Sequence, residues 1–167
     1  MAQASLISKY LIDASSIFDF WLVTSGVTRP YHIKVLKFRA IWDHICSLID
    51  NGTILVPETV SEEIVIADPE LLKWVESHKK SLVSSDPFQS ELKQILNSFP
   101  SYALKRVNKL NDARIISIAM GMGLTVITSE HKNFGTLSQL NPKLPNVCDK
   151  FNVKWTNLPE FFATEGL

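Results

Sequence analysis

Long apolar runs are missing from this 167-residue chain. No hydrophobic stretch approaches the ~18 residues that a membrane-spanning helix needs, so no membrane segment is expected. Cysteine is scarce: Cys46 and Cys148 lie far apart, and neither belongs to a CxxC or CxxH pair. That spacing argues against a zinc site and against a disulfide framework, and it leaves two reduced thiols as the expectation. Net charge is also absent, with 17 Lys and Arg balancing 17 Asp and Glu. No global field gathers polyanions, so any nucleic-acid contact needs a local basic patch. The chain has no internal repeat and no low-complexity tract, and "MAQASLISKY" lacks the basic-then-apolar pattern of a signal peptide. A cytoplasmic location is the resulting expectation.

Hydrophobic residues make up 46% of the chain and charged residues 20%, an ordinary globular composition. The length fits a single domain, residues 1–167. Residues 9–13, where the apolar run Tyr10-Leu11-Ile12 ends in Asp13, and the short stretches 53–57 and 124–128 read as strands buried on both faces, and "VKW" at 153–155 as another. Between them, apolar residues recur at helical spacing. Helices are expected from Ser15 or Ser16 to Thr24, and from Tyr31 to Ile49 after a break at Gly26–Pro30. Others are expected from Pro57 to Ala67, from Asp68–Pro69 to His78, and from Asp86–Pro87 to a stop at Pro100. A further helix is expected to be capped by Asn111 and to run to Met120, and residues 131–146 read as a loop. "NLPEFF" carries an Asn157-to-Glu160 capping pattern. Strands alternating with helices predict an α/β fold, a three-layer α/β/α sandwich with a central, mainly parallel sheet. The segment of about residues 68–110 reads as a helical insertion.

Four acids stand out by position. Asp13 ends the first strand, Glu63 lies early in the helix after the second, Asp112 opens the helix that feeds the third, and Glu130 follows the third. In a parallel sheet, ligand sites lie beyond the carboxyl ends of the strands, and all four acids are expected at that rim. Carboxylates gathered there repel one another unless cations intervene. An all-oxygen donor set of this kind suits Mg²⁺ or Mn²⁺, and such a site suits hydrolysis of a phosphodiester by water. Glu62 is rotated by ~100° from Glu63 around the helix and is expected to face water.

Taken singly, Asp13 reads equally well as a helix cap, Asp112 as a partner of a helix dipole, and Glu63 or Glu130 as solvated surface. "KRVNKLNDAR" supplies Lys105, Arg106, Lys109 and Arg114, either a solvated basic face or a track for RNA phosphates. His32, His44, His78 and His131 show no ligand spacing, and Trp21, Trp42 and Trp74 fall at helical core positions. "GMG" at 121–123 ends a helix and precedes a strand, the reverse of a dinucleotide-binding loop. Ser15 stands where a haloacid-dehalogenase-type phosphatase would need a second Asp.

"YLIDASSIF", "VPETVSEEI", "NDARIISIA" and "TVITSEHKNF" together resemble the four acidic motifs of the PIN domain, in the same order, over roughly residues 9–162. The resemblance implies an α/β/α fold and a Mg²⁺- or Mn²⁺-dependent ribonuclease, VapC-like, the toxin of a toxin–antitoxin pair. It implies Asp13, Glu63, Asp112 and Glu130 as the metal-binding and catalytic set. Ser15 and Thr128 match the small polar residues that orient ligands. The last acid of the family is usually Asp, so Glu130 joins the cluster directly or through water. The implied partners are RNA, a cognate antitoxin protein and a second copy of the chain. Two other readings stay open: a non-catalytic PIN-like module that binds RNA or protein, and a nuclease acting on single-stranded or flap DNA.

Overall fold

The runs read as strands lie side by side. In the computed structural model, which describes residues 8–24, 32–67, 69–104 and 107–166, five strands form one parallel sheet. They are β1 (Tyr10–Ile12), β2 (Ile54–Pro57), β3 (Leu82–Val83), β4 (Thr125–Ile127) and β5 (Trp155–Thr156), in the order β3-β2-β1-β4-β5. The chain builds outward from β1 on one side and, after β3, returns to its other side with β4. The strand order therefore reverses between β1 and β4, where a crevice opens at the carboxyl ends in sheets of this kind.

Side chains alternate across each strand, and both faces are buried. Leu11 and Val126 pack on one face against α5 (Gln89–Ser98), α6 (Pro100–Leu104), α7 (Val107–Met122) and α9 (Leu144–Lys150), through Ile95, Tyr102, Ile116 and Val147. Ile12, Ile54, Val56 and Ile127 face the opposite way. They meet α1 (Ala14–Thr24), α2 (His32–Asp50), α3 (Glu58–Ala67), α4 (Pro69–Ser77) and α10 (Leu158–Glu165), through Ile17, Ile45, Ile64, Leu71 and Phe161. A short α8 (Leu137–Leu140) lies between β4 and α9. The result is the expected α/β/α arrangement. Trp42 is buried and packs at 4.8 Å from the half-buried Trp74, so both serve the core. Both cysteines are free, and no helix among the described residues is long and apolar enough to cross a membrane.

Several boundaries differ from expectation. α1 starts at Ala14, because the Asp13 carbonyl already accepts the N–H groups of Ser16 and Ile17; Asp13, and not Ser15 or Ser16, stands at the cap. α7 begins at Val107, so Asn111 lies inside it and is fully buried, and Asp112 lies beyond the first turn. Pro100 begins α6 as well as ending the segment before it, and Pro145 sits in the first turn of α9 inside the expected loop. At a first turn the missing N–H has no partner to lose. The segment 68–110 contributes a strand, β3, besides its helices. Asp86 and Pro87 form a 3₁₀ turn ahead of α5. The expected cap at Asp68, the break at Gly26–Pro30, the helix start at Tyr31, and Lys105 and Arg106 lie outside the described residues, as does the side chain of Trp21.

Candidate metal centre

Asp13 is delivered to the rim by the sheet itself. Its N–H donates to the Ile127 carbonyl at 2.9 Å, extending the β1–β4 ladder by one step, and α1 then turns the chain away. The carboxylate is left almost buried at the end of the strand. Two hydroxyls hold it: Ser15 Oγ donates to Asp13 Oδ2 at 2.5 Å and Thr128 Oγ1 donates to the same oxygen at 2.9 Å. Thr128 and Ser15 are themselves fixed, since the N–H of Glu130 donates to Thr128 Oγ1 at 3.2 Å and the N–H of Ser129 to Ser15 Oγ at 3.1 Å. The exit of β4 is thereby stitched to the start of α1.

Glu130 follows the end of β4, and the other two acids arrive from helices on the two faces. Glu63 projects from the second turn of α3 and Asp112 from α7; with Asp13, Ser15, Phe18, Lys109, Glu130 and Lys143 they line one cleft of about 370 Å³. Its position is the β1/β4 reversal. All four acids singled out in the sequence therefore reach the same cleft. Glu62 does not: it is exposed, lies 3.6 Å from Arg114 Nη1 and lines a neighbouring groove with it. Of the basic candidates, Lys109 lines the acidic cleft. Its Nζ donates to the Pro142 carbonyl at 2.9 Å and sits 4.9 Å from the centre of the Tyr102 ring.

Electrostatics record the crowding. Burial raises Asp13 above the usual carboxylate range, with Glu130 adding to the rise, while the Ser15 and Thr128 hydrogen bonds oppose it. Burial also raises Glu63, and Asp13, Glu62 and Glu130 add repulsion against the opposing Asn111 hydrogen bond. Asp112 is pushed up to about 8, first by burial and then by Asp13 and Glu130, with Lys109 the opposing charge.

Two residues join the site without a clear signal in the sequence, one behind the cleft and one in its lining. Asn111, expected as a cap, donates from Nδ2 to Glu63 Oε1 at 3.0 Å and so ties α7 to α3. Its place beside Asp112 in "NDA" was the available signal. Lys143, hidden in a segment read as loop, reaches the cleft from the residue before α9.

Among the described residues, no three His, Cys, Asp or Glu side chains are arranged so that they could hold an ion as they stand. The fit of a cation rests on the chemistry of the donors: three or four carboxylates, no imidazole and no thiolate, in a crevice where their own repulsion disfavours ionisation. Hard divalent cations such as Mg²⁺ or Mn²⁺ match that set.

A family described as a domain of unknown function (DUF4411) matches residues 10–167, almost the whole chain. No curated protein matches it. Among solved structures, that of PAE2754 from Pyrobaculum aerophilum is similar, with 13% sequence identity over 97% of this chain and 92% of that one, at a TM-score of 0.45.

Proposed function

The chain belongs to the DUF4411 family, and we propose that it is a metal-dependent, PIN-like ribonuclease. One observation carries this reading: Asp13 and Glu130, just past the ends of β1 and β4, and Glu63 and Asp112, from α3 and α7, converge on a single cleft at the strand-order reversal. Three of them, Asp13, Glu63 and Asp112, have ionised forms disfavoured by burial and by neighbouring charge, a condition that marks a functional site more often than a structural one.

On this reading Asp13, Glu63 and Asp112 would hold Mg²⁺ or Mn²⁺, with Glu130 at the edge of the cluster. When bound, the ion supplies Lewis acidity, acidifying water and offsetting charge on the phosphate. The chain's own residues prepare the site. Ser15 and Thr128 favour the ionised form of Asp13 and fix its orientation, Asn111 does the same for Glu63, and Lys109 moderates the charge of Asp112. The protein would work in the cytoplasm as the toxin of a toxin–antitoxin pair, with RNA as substrate, an antitoxin protein as inhibitor and a second copy of the chain as a further partner.

Incubation with single-stranded RNA and with single-stranded and flap DNA, in Mn²⁺ with and without chelator, tests the proposal. Cleavage of RNA that the chelator stops and that Asp13→Asn and Asp112→Asn abolish is expected. Cleavage confined to DNA would reassign the substrate. Tight RNA or protein binding with no cleavage would make the chain a binding module.

A further inference from the structure

We infer that Glu130 is a positioning residue for Lys143, and that Lys143 binds the substrate's phosphate at the cleft. The inference rests on the ribonuclease reading for the source of that phosphate, RNA.

Both oxygens of Glu130 are turned toward the start of α9. Oε2 accepts the N–H of Leu144 at 3.0 Å, and Oε1 lies 3.9 Å from Lys143 Nζ. Glu130 thus satisfies a helix N–H that has no partner within its own helix, and faces the lysine beside it. Asp13, by contrast, is held by hydroxyls, and Asp112 is opposed mainly by the charge of Lys109.

The backbone of Lys143 is held from the other side as well. Asn146 Oδ1 accepts the N–H groups of Lys143 at 3.0 Å and Asn133 at 2.9 Å, while Asn146 Nδ2 donates to the Asn133 carbonyl at 2.8 Å. These bonds close the segment between Glu130 and Lys143 at its base and fix where the lysine stem leaves the chain. The side chain then enters a cleft lined by Asp13, Ser15 and Asp112.

Folding accounts for the Leu144 bond, but a partly exposed ion pair at this separation adds little to stability and so does not account for the placement of Lys143. Chemistry accounts for it better. An acidic cleft must still admit a polyanion, and a cation at its edge lowers that barrier. Lys109 lies beside Asp112 and gives one of its three N–H donors to the Pro142 carbonyl. The Lys143 ammonium stands beyond hydrogen-bond distance from Glu130 and, among the described residues, donates no hydrogen bond, so its N–H groups can meet a phosphate oxygen.

The test pairs two binding measurements. Fluorescence anisotropy of labelled single-stranded RNA is read in chelator, where no metal-dependent cleavage intervenes, and Mn²⁺ affinity is read by calorimetry without RNA. Lys143→Gln is expected to weaken RNA binding about five- to tenfold and to flatten the slope of log affinity against log salt by about 0.7, with Lys143→Arg restoring both. Glu130→Gln keeps an acceptor for Leu144. It is expected to lose no more than about tenfold in Mn²⁺ affinity, the size of an effect from outside the ion's own ligands, whereas Asp13→Asn loses that binding. Unchanged RNA affinity and slope in Lys143→Gln would overturn the phosphate role. Loss of Mn²⁺ affinity in Glu130→Gln to the level of Asp13→Asn would return Glu130 to the ion. A wild type that binds RNA without cutting it, with Lys143→Gln weakened, would keep the Lys143 assignment and remove the ribonuclease reading. A wild type that cuts RNA while Lys143→Gln binds as tightly would do the reverse, and a wild type that neither binds RNA in chelator nor cuts it in Mn²⁺ would remove both.

Discussion

Asn111 and Glu63 meet across two helices, the amide Nδ2 donating to the carboxylate Oε1 at 3.0 Å. The bond joins α7 to α3, and Asn111 is fully buried. Replacing Asn111 by Ala removes the donor and leaves a small void. The expected cost is about 1–3 kcal/mol of stability in urea unfolding. A loss of Mn²⁺ affinity of about tenfold is expected with it, because Glu63 loses the group that orients it. Wild-type Mn²⁺ affinity in this variant would show that Glu63 is not in the ion-binding set.

Apoprotein stability should fall as pH rises from 5 to 8.5. Asp112 is raised to about 8 in the folded chain, against an ordinary value near 4 when unfolded. The folded state therefore holds a proton that the unfolded chain releases. The stabilisation is complete below about pH 4 and is lost as pH climbs through 8. The raised values of Asp13 and Glu63 act in the same direction. Thermal unfolding across this range should show the decline, Asp112→Asn should flatten it, and Mn²⁺ should restore stability most at the alkaline end. A melting temperature that rises from pH 5 to 8.5 would contradict this electrostatic account.

Gly121, near the end of α7, is held small by a neighbour. A Cβ there would overlap the ring of Phe88. Gly121→Ala should therefore destabilise by about 1–3 kcal/mol through overpacking, despite the better helix propensity of Ala. In a Phe88→Ala background the same change should become favourable by up to about 1 kcal/mol, since only the propensity remains. A double-mutant cycle in urea measures the sign change, and additive effects would show that the two residues do not interact.

Asn157 caps α10, its Oδ1 accepting the N–H of Glu160 at 2.9 Å, and α10 carries Phe161 into the core. Asn157→Ala should cost about 0.5–2 kcal/mol, and Asn157→Asp or Ser should recover most of that. Equal stability across these variants would place the holding force in Phe161 alone.

The sequence made the central strands and the four acids legible for one reason. Tyr10–Ile12, Ile54–Pro57 and Thr125–Ile127 are uninterrupted apolar runs because both faces of the sheet are covered, and an acid at the end of such a run is conspicuous. β3 was missed because two residues, Leu82 and Val83, carry no periodicity. α9 was missed because Pro142, Pro145 and Gly135 read as loop chemistry, although Pro145 in a first turn starts a helix as readily. Local rules favour a cap role for Asn111, whereas its acceptor in the fold, Glu63, lies 48 residues away. Lys143 could not be connected to Glu130 without the fold that brings α9 back to the end of β4.

The most direct measurement of the central claim is a crystal structure grown or soaked with Mn²⁺ and read by anomalous scattering. An anomalous peak is expected in the cleft between β1 and α7, with oxygens of Asp13, Glu63 and Asp112, or waters they hold, within about 2.0–2.6 Å, and with Glu130 still bonded to Leu144. A cleft with no peak at saturating Mn²⁺, while the protein still cleaves RNA, would contradict the account.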